Sequence, residues 1–397
     1  MDYTHLSPQQ EVDGNELVFE LGSLYDYLLR VRDKRGSKGK RYRLATLLVL
    51  MILAKLGGED KPSGMTDWVA ERKEQLVVLK ILDRDMVPCH MTYRRVLQDV
   101  VDAQEFDALI SEYHRLRLRE EQEIVLTMDG KTLRGTIPFG KMRGTHLLTV
   151  YIPKQGLVLV QVQVDQKENE IVVAPHVLSQ VNLCGAILIG DAMHTQRAAS
   201  QQIVEAGGHY VWFVKDNQSR TRWAIEKLFV HEVCKLKQGA PLSKDVQMAS
   251  RVSKGHGRIE MRTLLASTAL NDYLDWPHVA QVFRLERTVW HIRYGGKTRV
   301  IVYGITDLTP QNADPARLLA LTREYWGIEN GLHYRRDVTL HEDATRLTVG
   351  LSGHMMAILN NLVLGLCLQY DPKNIAHARR HFCAQPDKAL KLILEAK

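Results

Sequence analysis

Ile124-Val125-Leu126-Thr127-Met128-Asp129-Gly130-Lys131-Thr132-Leu133-Arg134-Gly135 is the stretch on which the reading of this chain turns. Its first half is apolar and β-branched, the composition of a buried strand, and it delivers one carboxylate, Asp129, at its end. A glycine, Lys131 and Arg134 follow. An aspartate there, beside two cations, suits a hard divalent metal that must also hold a phosphate. Strand-Asp-Gly is also an ordinary turn pattern, so the signal gains weight from recurrence. Ala186-Ile187-Leu188-Ile189-Gly190-Asp191-Ala192 is a second apolar strand ending in aspartate. A third acid, Glu329, lies in Tyr325-Trp326-Gly327-Ile328-Glu329-Asn330, within a segment that reads as helix.

Composition narrows the field. With 397 residues the chain is long enough for two or three domains and a substantial core. It is 45% hydrophobic and 25% charged, which excludes a disordered chain. Its 53 Lys+Arg against 46 Asp+Glu give +7 and a pI near 9.0, a balance that favours a polyanionic partner. Cysteines at 89, 184, 234, 367 and 383 form no CxxC pair, the pattern of reduced thiols in a cytosolic protein. Met1-Asp2-Tyr3-Thr4-His5 lacks the basic and apolar regions of a leader. The run Leu44 to Leu56 is short for a membrane span and carries Lys55; His354 to Leu368 carries Asn360 and Asn361. Both are expected to be buried helices of a soluble, cytoplasmic protein associated with the nucleoid.

Texture divides the chain into an expected helical DNA-binding region (1–120), the first part of an α/β catalytic domain (121–216), a β-containing insertion subdomain (217–310), the catalytic helix (311–350) and a C-terminal helical segment (351–397). Between Arg30 and Arg43 eight basic residues face one acid, Asp33. This arm reads as a solvated loop or as a phosphate-contacting arm using Lys38, Lys40, Arg41 and Arg43. Thr66 is a candidate cap for a helix through Trp68, Val69, Leu76 and Val77. After Pro88, Thr92 is a candidate cap for a second helix bearing Arg94 and Arg95, an order resembling helix-turn-helix geometry with a longer turn. Strands are expected at 124–129, 146–152, 157–164, 185–190 and 209–214, with helices at 170–181 and 195–207. Three strands, helix, strand, helix, strand is the order of a ribonuclease-H-like α/β domain, in which the first and fourth strand ends lie side by side. Asp129 and Asp191 then share a metal.

Phosphodiester cleavage needs an activated oxygen nucleophile in line with a stabilised leaving oxygen. Two Mg²⁺ ions about 3.5–4 Å apart supply both, held by carboxylates, with Mn²⁺ able to substitute. Asp129 would bridge the ions, and Asp191 and Glu329 would each complete one side. On a regular helix Glu329, His333 and Arg336 fall on one face, placing His333 and Arg336 toward flanking phosphates. Lys131, Arg134 and Lys215 are the other candidate DNA contacts around the strand ends. Rival acids are Asp337, Glu342 and Asp343 downstream and Asp165, Glu168 and Glu170 after the third strand.

At these residues the chain closely resembles the ISAs-type insertion-sequence transposases of the DDE class, which include the H-repeat-associated proteins. The matching segments are Asp129-Gly130-Lys131-Thr132-Leu133-Arg134-Gly135, Gly190-Asp191-Ala192-Met193, and Gly207-Gly208-His209-Tyr210-Val211 through Val214-Lys215-Asp216-Asn217-Gln218. They continue with Gly255-His256-Gly257-Arg258-Ile259-Glu260 and Arg262, then Trp326-Gly327-Ile328-Glu329-Asn330-Gly331-Leu332-His333, Asp337-Val338-Thr339 and Glu342-Asp343-Ala344. The resemblance runs in order over about 120–345. It implies a ribonuclease-H-like fold, catalytic acids Asp129, Asp191 and Glu329, and Mg²⁺-dependent cleavage and transfer of DNA strands at terminal inverted repeats. Because an element has two ends and two-fold complexes are the commonest symmetry, a homodimer on paired ends is expected. The wider DDE group often has an arginine four residues before the glutamate and a lysine seven after it. Here Tyr325 and Arg336 stand there, and Arg323 is the nearest substitute for the first. A domesticated DNA-binding protein is one alternative, and the presence of all three acids favours the enzyme over it; a metal-dependent nuclease of the same fold without strand transfer is another, and the same three acids would serve it.

Overall fold

The structure, a computed structural model, describes residues 9–13, 17–82, 86–118, 123–165, 168–293, 295–371 and 374–396. The start at Met1-His5 and the boundary expected at 120/121 lie outside the described residues.

The N-terminal part is helical. A hairpin of β1 (Gln10–Val12) and β2 (Val18–Glu20) leads into α1 (Leu24–Leu29), α2 (Leu44–Leu56), α3 (Pro62–Glu71), α4 (Lys73–Val78), α5 (His90–Arg95) and α6 (Ala103–Arg115). α2 is buried along its whole length, Lys55 included, whose ammonium meets Asp60 at 3.2 Å. Two cap expectations need correction. Pro62, favoured in a first helical turn, starts α3 ahead of Thr66, whose hydroxyl donates to the Pro62 carbonyl at 3.1 Å. α3 also ends at Glu71, so Leu76 and Val77 belong to α4. Thr92 lies inside α5, which Cys89 precedes as the flanking residue. Arg94 and Arg95 are exposed on α5.

The α/β part follows the expected order: β3 (Ile124–Thr132), β4 (His146–Ile152), β5 (Leu157–Val164), α7 (Glu170–Ser179), β6 (Ala186–Gly190), α8 (Arg197–Glu205) and β7 (His209–Val214). Within the sheet they lie as β5-β4-β3-β6-β7, with β3, β6 and β7 parallel and β4 and β5 antiparallel. The parallel strands are apolar nearly throughout because both faces are covered.

The region 217–310 departs from expectation. It opens with a helix, α9 (Ser219–Lys237), and its strands β8 (Val246–Gly255), β9 (Arg258–Ser267), β10 (Gln281–His291) and β11 (Lys297–Thr306) continue the main sheet. β11 pairs antiparallel with β7, Tyr303 opposite Val214, so one nine-stranded sheet runs β5-β4-β3-β6-β7-β11-β10-β9-β8 among the described residues.

α10 (Pro315–Ile328), capped by the Asp314 carboxylate, which accepts the Arg317 N–H at 2.7 Å, crosses the face opposite α7, α8 and α9. Side chains alternate along a strand, so Val125, Thr127 and Asp129 of β3 share a face, as do Ile187, Ile189 and Asp191 of β6 and its end. Val125, Ile187 and Ile189 pack with Leu318, Leu319 and Leu321 of α10, which puts both aspartates on the α10 side. Finally α11 (Ser352–Tyr370), α12 (Ile375–Ala384) and α13 (Pro386–Leu394) share one hydrophobic core with the N-terminal helices. Among the described residues no helix is long and apolar enough to cross a membrane.

Candidate active site

Parallel pairing of β3 with β6 is what brings the two aspartates together. Met128 lies opposite Gly190, so Asp129 and Asp191 come next on neighbouring strands, about 4.8 Å apart in the strand-to-strand direction. Asp191 is set by its own turn: its carboxylate accepts the Met193 N–H at 2.8 Å and that of His194 at 3.4 Å. Glu329 arrives from α10, which packs across β3 and β6. Beyond Ile328 the helix widens into π-helical turns, Glu329–His333 and Arg335–Thr339, a distortion frequent at functional sites.

His333 Nδ1 stands 3.5 Å from an Asp129 oxygen and 3.4 Å from a Glu329 oxygen. Ligand atoms of Asp129, Glu329 and His333 all lie within 4.8 Å of one another, a cluster with the dimensions of a metal site. Burial, helped by the charges of Glu170 and Asp191 and opposed by His333, holds the Asp129 carboxyl up at about 6. The hydrogen bond from His333 keeps the Glu329 carboxyl below its ordinary value against the opposing effect of burial, with Lys131 acting in the same direction. Burial and the charges of Asp129, Asp191 and Glu329 push the Tyr325 phenol far up.

A fourth carboxylate closes the back of the site. Glu170, at the start of α7, takes the His146 ring at 2.8 Å and the His194 ring at 3.1 Å. Burial would raise its pKa, but these two imidazoles win and hold it down at about 2. Gly130 is what admits it: a Cβ there would stand 2.1 Å from a Glu170 oxygen. Among the rival acids of the sequence only Glu170 stands in this position, and the strand-to-helix contact that puts it there has no local signature.

The sequence-derived contacts sort into several groups. Arg134 and Lys215 are exposed at the ends of β3 and β7. Lys131 is nearly buried and its ammonium is engaged by Asp337 at 2.5 Å. His333 is buried among the carboxylates, inside the expected flanking phosphates. Arg336 must be corrected: it is fully buried, its guanidinium paired with Glu342 at 2.9–3.0 Å and with Gln161 at 3.2 Å, so no phosphate reaches it. The cause is the π-helical turn. It winds fewer degrees per residue than an α-helix, so the position seven after Glu329 rotates away from the face it would share in a regular helix. In the basic arm, Lys40 and Arg43 have acids at 3.7 and 3.8 Å, Asp33 and Asp13, while Lys38 and Arg41 are exposed.

Residues 120–364 match the family described as "Transposase DDE domain", and residues 25–114 match "DDE_Tnp_1-associated". The chain belongs to the transposase DDE family. Its relatives include a protein carrying a transposase name, YncI of Escherichia coli O157:H7, 26% identical over 87% of this chain and 87% of that protein. YhhI of Escherichia coli K12, named as an H repeat-associated transposase, is 24% identical over 87% of this chain and 90% of its own length. An uncharacterized protein of the dhlA 3' region of Xanthobacter autotrophicus is 32% identical over 61% of this chain and 78% of its own.

Proposed function

We propose that this DDE transposase binds the terminal inverted repeats of its own insertion sequence and performs Mg²⁺-dependent strand cleavage and strand transfer, as a homodimer on paired ends at the nucleoid. The observation that carries the reading is the convergence of Asp129 and Asp191, in register on parallel strands, with Glu329 from the helix across them. The order β5-β4-β3-β6-β7 supports a ribonuclease-H-like core under that triad.

The donor set fits the metal. Asp129, Asp191 and Glu329 offer the hard oxygens that Mg²⁺ prefers, and Asp129 is held up at about 6 in a half-buried crowd of acids that a cation relieves. Bound Mg²⁺ would supply Lewis acidity to the attacked phosphate and lower the pKa of the attacking water. Asp129, between the other two acids, is placed to serve both sides of the site. The Glu170–His146–His194 group fixes the turn after Asp191 and keeps an ionised carboxylate behind Asp129. Arg134 and Lys215, exposed at the ends of β3 and β7, would take the phosphates on either side of the cleaved one.

Asp129→Ala, Asp191→Ala and Glu329→Gln should each abolish cleavage of end-bearing duplex while retaining DNA binding, because affinity resides mainly in basic contacts. Purified Asp191→Ala that cuts such DNA like the parent would overturn the assignment.

A further inference from the structure

Past His333 the π-helical segment borders a recess of about 310 Å³ that has no part in the metal site. Its walls come from distant parts of the chain. Arg117 stands just beyond α6, Tyr151 lies near the end of β4, and Lys154 and Gln155 form the turn between β4 and β5. Arg335 belongs to the second π-helical turn, and Leu368 to the last turn of α11. Two glycines bring these pieces together. Gly156 closes the strand turn with φ of 71° and leaves no room for a Cβ against Leu368. A Cβ on Gly331 would stand 2.9 Å from the Tyr151 hydroxyl, so helix and strand approach closely at the floor of the recess.

None of the residues lining this recess is acidic, while Arg117, Lys154 and Arg335 all face it. Arg117 stacks on the Tyr113 ring at 3.9 Å and donates to the backbone carbonyls of Glu395 at 3.1 Å and Gly22 at 3.4 Å. Its Nε and the Nη1 of Arg335 are buried with no hydrogen-bond partner among the described residues. Burial holds the Arg117 guanidinium below its ordinary value. Burial also holds the Tyr151 phenol up at about 12 against the Arg335 charge, so its hydroxyl stays a donor. Buried guanidinium N–H groups without acceptors, in a concave and wholly basic setting, call for an anion.

We propose that this recess is an effector site for a small molecule bearing one or two phosphate groups, and that its occupant stiffens the π-helical segment carrying Glu329 and His333. Three cations suit a phosphate, which carries about two negative charges at neutral pH, better than a carboxylate with one. The planar fork of each arginine matches its oxygens. The volume is at the lower end of the ~300–1,000 Å³ of small-ligand pockets, room for a pyrophosphate or a mononucleotide. Arg335 lies two residues past His333, whose ring meets Asp129 and Glu329. A phosphate bridging Arg335 to Arg117 and Lys154 would therefore tie that segment to α6 and the β4–β5 turn.

Calorimetric titration of the full chain with inorganic pyrophosphate, in a chelator and without DNA, tests it. One site per chain is expected, and Arg335→Gln should weaken it about tenfold or more, the share of a charge-assisted hydrogen bond. Lys154→Ala, on an exposed turn where folding is not at stake, should weaken it in the same way. Amide exchange over residues 329–339 should slow about threefold or more with pyrophosphate bound. No binding, or affinity unchanged in both variants, would overturn the proposal, and unchanged exchange would overturn the link to the π-helical segment. Salt titration of duplex binding separates the two sources of phosphate. An unchanged log–log slope in Arg335→Gln supports a small ligand, whereas a slope reduced by about 0.9 would show a DNA backbone phosphate there and overturn it. The titration needs neither metal nor cleavage, so its failure leaves the catalytic reading standing.

Discussion

Replacing Arg336 by methionine should unfold this protein more readily without changing how it holds DNA. The side chain is fully buried, and its guanidinium donates to both oxygens of Glu342 at 3.0 Å and to Gln161 at 3.2 Å, while Asn360 donates to Glu342 at 2.7 Å. Methionine fills much of the volume but leaves the Glu342 carboxylate buried with only a neutral partner. Breaking a buried pair from one side costs about 3–5 kcal/mol, a large share of the roughly 5–15 kcal/mol that holds a domain folded. Removing the stranded charge as well, in Arg336→Met with Glu342→Gln, should recover most of that loss, since glutamine still accepts from Asn360. Urea midpoints for the parent, both single variants and the double variant close a thermodynamic cycle, and a coupling of about 2 kcal/mol or more is expected. Salt titration of DNA binding supplies the second readout. A phosphate contact at Arg336 would reduce the magnitude of the log–log slope by about 0.9, whereas a buried arginine leaves it unchanged. A stable Arg336→Met with a shallower slope would refute the interior placement.

Three further outcomes follow from the same structure. Lys38→Ala with Arg41→Ala should reduce the magnitude of the salt slope by up to about 2 and weaken binding to all sequences alike; an unchanged slope shows that the arm is only a solvated loop. Burial holds the His114 ring down at about 4, with Nδ1 at 2.9 Å from the Val158 carbonyl oxygen, so its stabilising effect is complete above the unfolded value near 6.5 and lost as pH falls toward 4. That is worth about 3 kcal/mol, so a His114→Asn variant should lose less stability than the parent between pH 7 and 4.5 in urea unfolding; parallel losses would assign the acid sensitivity elsewhere. Light scattering with end-bearing duplex should give two chains per complex, and a cleavage-competent complex with one chain would dismiss the paired-end arrangement.

The two site aspartates were legible because each follows an apolar run buried on both faces, although β3 continues past Asp129 to Thr132, and side-chain alternation then puts both on one side of the sheet. Glu329 was legible as the acid of a capped helix. Arg336 misled because a π-helical turn leaves no local pattern, so a regular-helix phase carried it to the wrong face. The extension of the sheet was hidden for another reason: β11 pairs with β7 across the whole of β8, β9 and β10, and such long-range register is not written in either strand. α9 escaped notice among basic residues whose helical spacing is weak. Glu170 was one acid among several until the fold set it against Gly130 and between two histidines.

The core shared by the helices from both ends of the described chain bears on how the protein is made. α2 packs against α12 and α13, and α1 against α13, so residues translated early wait for residues translated late. The fully apolar face of α2 has no cover on a nascent chain until about 320 further residues have been added. Folding of the N-terminal helices is therefore tied to the emergence of α12 and α13, and a ribosome-bound or prematurely terminated chain presents a sticky helix in place of a folded helical unit.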